Sequence, residues 1–445
     1  MIEQSSAILT DGLRARTSGG LATELAQLIR TGAVPAGSRL PTIRSVAVAL
    51  GVSVGTVAEV WSMLRTQGLI ETRRRGGTLV TAPSVAPGFP GWSEIDFLLS
   101  SPDTSLQPSL EQAFLHALRQ PGVNAWGREH MVGALREAVE PTWAFPAEAF
   151  TSAGGGTEGL WLATRAVLTP GRPIAVEEPA PPGYLATLAE LGADVIGVPV
   201  DDEGPTPAGL RRALDAGATA FVHQPGGPFS TRHVLSDDRV AELAAELRLS
   251  DALVIEDDSL GPLSISAVRT LGGALPTRTI RVLSFCKAFG LDLRTSVLGG
   301  ARPLIDRVIS LRSGGVASNS RILQHALAAM IHDETAASTV AEARERYSSR
   351  RTIALRAFRS AGLIVDSGPG SLVIWVEVPD ERTAAMALAT RGIVVDVGAA
   401  AFAAPQPTGL LRFSIAQLPE DEALVGELAA LVDRSVSGDL RVRFD

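Results

Sequence analysis

The 445-residue chain has one cysteine, Cys286, and one lysine, Lys287. A single cysteine excludes an internal disulfide framework. The longest apolar runs, such as 397–405, fall well short of the ~20 residues that a membrane-crossing helix needs, so no span is expected. The N-terminus carries Glu3 and Asp11 and lacks the basic start and apolar run of a signal peptide. The six histidines form no cluster with metal-ligand spacing, and no metal is expected. What remains is a globular chain, expected in the cytoplasm.

The lysine count carries more information than the rest. Of the 40 basic residues 39 are arginine. Guanidinium replaces ammonium in ion pairs and for solubility, but it cannot act as an amine nucleophile or form a Schiff base at ordinary pH. A lone surviving lysine is either chance in an arginine-biased composition or an amine kept for its chemistry. Its neighbours decide between the two.

Charge is divided unevenly along the chain. Residues 1–85 hold nine arginines against five acids, while the whole chain has a net charge of −8. A small basic unit ahead of a large acidic one points to a polyanion-binding module joined to something with another task. The local patterns agree. Leu21, Leu25, Leu28 and Ile29 recur at helical spacing before Gly32 and Pro35. Thr42 can cap a second helix that buries Ile43, Val46, Ala47 and Leu50, and Gly51 ends it. Ser53 can cap a third that buries Val57, Val60 and Leu64. Two β-prone runs, 69–72 and 78–81, flank Arg73, Arg74, Arg75, Gly76 and Gly77, a hairpin with a cationic tip. This predicts an all-α, winged helix-turn-helix domain over 1–82.

A stretch with Pro83, Pro87, Gly88, Pro90 and Gly91 reads as a semi-stiff linker, expected over 83–108. In the remaining residues, 109–445, β-runs at 174–177, 194–200, 218–222, 252–256 and 279–284 alternate with helical stretches at 157–168, 183–191, 207–215 and 236–247. Such alternation predicts an α/β large lobe, about 146–318, with a mostly parallel central sheet. A long helical region, 319–361, leads into a smaller α+β lobe, about 345–445, with strands at 371–378, 392–396 and 411–415 and helices near 381–390 and 420–434.

Residues 35–81, from Pro35-Ala-Gly-Ser-Arg-Leu-Pro-Thr-Ile-Arg44 through Gly51-Val-Ser-Val-Gly-Thr56 to Gly77-Thr-Leu-Val80, resemble the winged helix of the GntR family of bacterial regulators. The resemblance implies double-stranded DNA as partner. It places Arg39 and Arg44 at the phosphate backbone or groove and makes the helix from Ser53, with Thr56 at its start, the recognition helix. Arg73, Arg74, Arg75 and Gly77 would form the wing. Many relatives carry a basic residue where this chain has Val54, so a direct base contact is either missing or replaced by apolar contact with a thymine methyl.

Lys287 sits in Ser284-Phe-Cys-Lys287-Ala-Phe-Gly-Leu-Asp-Leu-Arg294, just past a predicted strand, where parallel sheets place ligands. This stretch resembles the Ser-x-x-Lys…Arg signature of fold-type I aminotransferases. The resemblance implies pyridoxal 5'-phosphate held as an imine on Lys287, with Ser284 nearby and Arg294 on the phosphate, for which its planar fork is suited. It also implies that Asp257, in Ile255-Glu256-Asp257-Asp258, pairs with the pyridinium nitrogen, and that Arg412 captures the carboxylate of an amino acid effector. The turn Gly154-Gly155-Gly156-Thr157 precedes a helix, where backbone N–H groups and the helix dipole favour a phosphate. A winged helix joined to an aminotransferase-like domain resembles the MocR subfamily of GntR regulators. The family implies a homodimer, with two winged helices for two half-sites.

Three departures from the enzyme pattern bear on activity. Ser259 and Leu260 stand where a tyrosine contacts the cofactor, Pro181 stands where another tyrosine stacks on its ring, and Pro225-Gly-Gly-Pro-Phe-Ser-Thr-Arg232 replaces a Pro-Thr-Gly segment. Anchoring residues are kept while those that tune the ring are lost, so the expectation is a sensor of pyridoxal phosphate, or of a small amine or amino acid, with little or no turnover. A working aminotransferase with an accessory DNA-binding domain, and a regulator whose pocket takes another ligand, remain open on sequence.

Overall fold

The computed structural model describes residues 13–436 apart from 14, 31–33, 35–36, 67–68, 74–76, 82–88, 126–128, 233–234 and 314–317. Arg74 and Arg75 of the expected wing, and the expected linker residues 82–88, lie outside the described residues. The chain forms two compact units, 1–89 and 90–445.

In the first unit, α1 (Ser18–Arg30), α2 (Ile43–Leu50) and α3 (Val54–Thr66) precede a two-stranded antiparallel hairpin, β1 (Ile70–Arg73) and β2 (Gly77–Val80). Thr42 caps α2 by accepting from the Ser45 amide at 3.2 Å. Gly51 ends it in the left-handed region, φ 68°, which a glycine enters without steric cost. From α2 to α3 the chain turns by 119°, in keeping with a helix-turn-helix. Leu21, Leu25, Ile29, Val46, Leu50, Val57, Val60, Trp61 and Leu64 form one core with Ile70 and Val80 of the hairpin.

The second unit starts earlier than its sequence suggests. The expected linker runs to 108, but from Ile95 the chain is packed: Phe97 is 1% exposed and its ring stands 6.0 Å, edge-on, from that of Phe413. The Ser414 amide donates to the Phe97 carbonyl at 2.9 Å, and Asp103 pairs with Arg350 at 2.7 Å. Burying one such ring is worth about 1.5–3 kcal/mol, enough to offset the ordering of its backbone. A proline-rich composition obscures this.

Then follow α4 (Glu111–Leu118), α5 (Gly133–Val139), β3 (Ala149–Ala153), α6 (Gly156–Val167), β4 (Ile174–Glu177), α7 (Tyr184–Glu190), β5 (Val195–Val198), α8 (Pro207–Asp215), β6 (Ala220–His223), α9 (Asp237–Arg248), β7 (Leu253–Asp258), β8 (Thr279–Ser284) and β9 (Ser296–Gly300). They build a seven-stranded sheet in the order β3-β9-β8-β7-β6-β4-β5. Every pairing is parallel except those of β9 with β8 and β3.

Period-two alternation divides the sheet between two apolar layers. Ile255, Ile280 and Val282 pack with Leu160 and Ala163 of α6 on one face, while Val254 and Phe221 pack with Leu210 of α8 and Leu243 of α9 on the other. Helix α6 comes very close to the sheet, because a Cβ at Gly159 would meet Val282 Cγ1 at 2.7 Å.

The expected 319–361 helical region is two helices, Arg321–Ile331 and Glu334–Ser360. They lead to a four-stranded antiparallel sheet of Val365–Asp366, Val373–Val378, Gly409–Ser414 and Asp396–Val397, in that spatial order, with helices Glu381–Ala389 and Glu422–Val436. The strand expected at 392–396 is reduced to those last two residues of pairing.

Gly261 shapes the turn after β7. Its φ is +53°, its amide donates to Asp258 Oδ1 at 3.0 Å, and a Cβ there would run into the Ser284 carbonyl oxygen. Gly261→Ala should destabilise the full-length chain by about 2–4 kcal/mol in chemical denaturation. Gly273→Ala, where a Cβ would meet nothing within 4 Å, should change it little.

Candidate functional site

The carboxyl ends of the parallel strands open into a cavity of ≈ 630 Å³. That size suits a small organic ligand. Seven residues expected at a cofactor line it: Gly155, Gly156, Thr157, Asp257, Ser284, Lys287 and Arg294.

Alternation explains much of this. On β7, Asp257 continues the face of Ile255, and on β8 Ser284 continues that of Ile280 and Val282, so both emerge beside the start of α6. That start is tight: Gly155 has φ 105°, and a Cβ at Gly156 would stand 3.0 Å from Ser284 Cβ. The Gly154 amide donates to the Glu158 carboxylate, and Ser296 Oγ donates to the Gly155 carbonyl at 2.9 Å. Lys287 lies on the short turn Cys286–Phe289 after β8. Arg294 follows, in the left-handed region at φ 39°.

Electrostatically the site is organised around three consecutive acids. Glu256 and Asp258 point to the far face and are satisfied there. Glu256 accepts from Thr270 Oγ1 at 2.7 Å and the Leu271 amide at 2.7 Å, with His223 Nε2 at 3.4 Å. Asp258 takes the Gly261 amide and the Arg281 guanidinium. Asp257, 3% exposed, faces the cavity, and among the described residues its carboxylate accepts no hydrogen bond. Burial pushes its carboxyl up to about 7; Lys287 opposes that, while Asp258 and Glu177 add to it. Burial likewise pulls the Lys287 ammonium below its ordinary range, against the attraction of Asp257. A second buried group, Ser259 Oγ, lacks a partner among the described residues and also lines the cavity.

These features fit a pyridoxal-type group. An unpartnered buried carboxylate suits a ring N–H, an adjacent amine suits an aldehyde, and a glycine turn with Thr157 and Arg294 suits a phosphate. Pro181 and Ser259 both border the cavity, while Leu260 is buried at 1% outside its lining. Arg412 is placed differently from its companions. It is 1% exposed, does not line the cavity, and gives Nη2 to Asp396 at 2.5 Å and the Leu98 carbonyl at 3.1 Å.

Sequence reading missed several lining residues: Glu158, Trp161, Tyr184 and Phe229. Trp161 sits four residues after Thr157 on α6, so helical spacing signals it. Tyr184 follows the Pro-Pro-Gly turn; it is buried, its hydroxyl contacts Thr164 Oγ1 at 2.8 Å, and burial raises its pKa. Phe229 carries no local signal.

In the first unit the residues expected at DNA fall in two places, Arg39 against the hairpin and Ser53 with Thr56 at the start of α3. The backbone of Arg39 bridges to Leu79, and a Cβ at Gly77, where φ is +76°, would meet Arg39 Nε at 2.9 Å. Ser53 Oγ accepts from the Thr56 amide at 3.0 Å and touches Thr56 Oγ1 at 2.8 Å, which caps α3. Arg44 is exposed on α2, and Val54 is 51% exposed at the start of α3. Arg73 pairs through its backbone with Gly77.

The carboxyl of Asp257 ionises near 3.8 in an unfolded chain and near 7 when folded. The stability linked to it is therefore complete below about pH 4, declines as pH rises toward 7, and is level above. In the cofactor-free protein Asp257→Asn should flatten thermal-denaturation profiles over pH 4–7, a relative gain of roughly 2–4 kcal/mol at the upper end.

Comparison with known proteins agrees with this geometry. The model of the bacterial regulatory proteins, gntR family, matches residues 17–80, and that of aminotransferase class I and II matches residues 96–426. The vitamin B6 salvage pathway transcriptional repressor PtsJ of Salmonella typhimurium is 27% identical over 438 residues, covering 95% of this chain and 99% of its own. The pyridoxine biosynthesis transcriptional regulator PdxR of Corynebacterium glutamicum is 27% identical over 360 residues, covering 75% of this chain and 77% of its own. A tetra mutant of Thermus thermophilus aspartate aminotransferase superposes with a TM-score of 0.67 at 23% identity, over 76% of this chain and 95% of that one, a likeness of fold alone. The chain thus belongs to the aminotransferase class I and II family and carries ahead of that domain a gntR-family helix-turn-helix, the combination of the MocR-type regulators.

Proposed function

We propose that the protein is a DNA-binding transcription regulator whose second unit senses pyridoxal 5'-phosphate, alone or with a small amine, through Lys287. The observation that carries this reading is Asp257, a buried carboxylate without a hydrogen-bond donor among the described residues, facing the cavity that also holds the only lysine of the sequence. The names of PtsJ and PdxR, both tied to vitamin B6, support the same ligand class.

In this reading Asp257 holds the ring nitrogen, Ser284, Arg294 and the Gly155-Gly156-Thr157 turn hold the phosphate, and Lys287 offers its amine. When bound, pyridoxal phosphate supplies an aldehyde able to join an amine and a ring able to accept electrons. The depressed basicity of Lys287 keeps a larger share of its amine unprotonated and nucleophilic. Ser259 and Pro181, in place of aromatic ring contacts, favour binding over turnover. Arg412 would meet an effector carboxylate only if that carboxylate reaches past the cavity wall. A homodimer would present two winged helices to two half-sites.

Full-length protein mixed with pyridoxal phosphate should develop an absorbance band distinct from the free cofactor. Lys287→Ala should leave the free-cofactor spectrum and still bind DNA. An unchanged spectrum with the parent chain would rule out the cofactor assignment, and steady transamination at useful rates would rule out the sensor reading.

For the first unit, affinity for a duplex should fall as salt rises, because arginine contacts release counterions. Arg44→Ala should weaken binding to all sequences alike and lower the slope of log K against log salt by about one. Binding that ignores salt would contradict the DNA assignment.

A further inference from the structure

Phe229 is the ring against which two cations of the second unit are set. Lys287 Nζ lies 5.9 Å from its centroid and the Arg412 guanidinium carbon 5.5 Å. The ring lines the cavity and Arg412 does not, so the ring is a cavity-lining group set directly against the buried guanidinium. Asp396 and the Leu98 carbonyl take only Nη2 of Arg412; its Nε and Nη1 are buried with no partner among the described residues.

The loop that carries Phe229 is fastened down. Its carbonyl accepts from Trp375 Nε1 at 2.9 Å, and the Pro228 carbonyl accepts from the Leu372 amide at 2.9 Å and Ser371 Oγ at 3.0 Å. On the next residue, the Ser230 carbonyl accepts from the Gly368 amide at 3.0 Å. The backbone on both sides of the ring is therefore fixed to the small lobe, and the ring itself packs with Val373, Trp375 and Ala401.

We infer that Phe229 determines the specificity of the cavity: while its ring is in place a ligand amine reaches the aldehyde carbon held by Lys287, forming its C–N bond as the bond to the lysine nitrogen breaks, but a carboxylate on the same ligand cannot reach Arg412, so amines without an α-carboxylate are preferred over α-amino acids. Two physical effects act together. The ring occupies the way to the unpartnered N–H groups, and its face, negative by its quadrupole, attracts an ammonium and repels a carboxylate. This inference rests on the proposed pyridoxal-binding role of the cavity and narrows the class of effector.

Ethylamine and L-alanine differ by the carboxylate alone. Titrated calorimetrically into the full-length, pyridoxal phosphate-loaded protein, ethylamine should bind at least about tenfold more tightly than L-alanine. Phe229→Ala should reverse the order by exposing Arg412. Phe229→Leu, which keeps apolar volume against Trp375 but has no π face, should narrow the gap and serves if the alanine variant does not fold. Propionate, added to the cofactor-free protein, should raise the melting temperature saturably in Phe229→Ala and not in the parent. L-Alanine binding to the parent as tightly as ethylamine, or propionate stabilising the parent as much as the variant, would overturn the inference. Because the propionate measurement needs no cofactor, a failure of the cofactor assignment shows separately, in the absorbance spectrum.

Discussion

The second unit is organised around a buried carboxyl and the amine of a half-buried lysine, which line one cavity. Asp257 is driven toward neutrality from one side and Lys287 from the other, both chiefly by loss of water. Buried charge pairs of this kind are weak contributors to stability, since desolvation consumes most of the attraction. Among the described residues no hydrogen bond to the Asp257 carboxylate improves the balance. Two opposed groups with displaced protonation, at the mouth of a parallel sheet, mark a place built for a ligand that completes them.

The strand itself isolates that pair. In Glu256-Asp257-Asp258, period-two alternation sends the outer acids to the face where Thr270, the Leu271 amide, His223 and Arg281 receive them. The middle acid is left with the cavity. Arg281 in turn lies 5.6 Å over the Trp143 ring, so the charge on the far face is both paired and shielded. Substituting Asp258 would strand the buried Arg281 guanidinium, and substituting Glu256 would leave the Thr270 hydroxyl and the Leu271 amide without their acceptor. Substituting Asp257 would take away the counter-charge of Lys287 and the group offered to a ligand, and the two kinds of acid are thereby distinguished within three residues of sequence.

Much of this was legible beforehand, and the reason is local. Strand Thr279–Ser284 and helix Pro207–Asp215 fall where the pattern predicts them, because a buried parallel strand is a continuous apolar run and an amphipathic helix has a fixed period. The lysine was visible because it is alone. The entry of the chain into the second unit was less visible, since prolines and glycines near 83–91 mask the apolar anchors Ile95 and Phe97 that follow at once. Phe229 was invisible for a different reason: its role depends on Trp375 and Arg412, almost 150 residues or more away in sequence, and no window of composition contains all three.

That distance bears on how a ligand in the cavity can have any effect elsewhere. A ligand shifts a conformational equilibrium only by the difference in its affinity for the two states. The cavity is lined mainly by large-lobe residues at the ends of the seven-stranded sheet and the start of α6, whose positions relative to one another do not depend on the small lobe. The 228–230 loop differs, because Trp375, Leu372, Ser371 and Gly368 of the small lobe fix its position, as Ser414 and Arg412 do for the segment that carries Leu99. A ligand that fits beside the ring stabilises that clamp, and one that must displace the ring opposes it. Differential affinity for the placement of the small lobe thereby rests largely on one aromatic side chain and the four hydrogen bonds behind it.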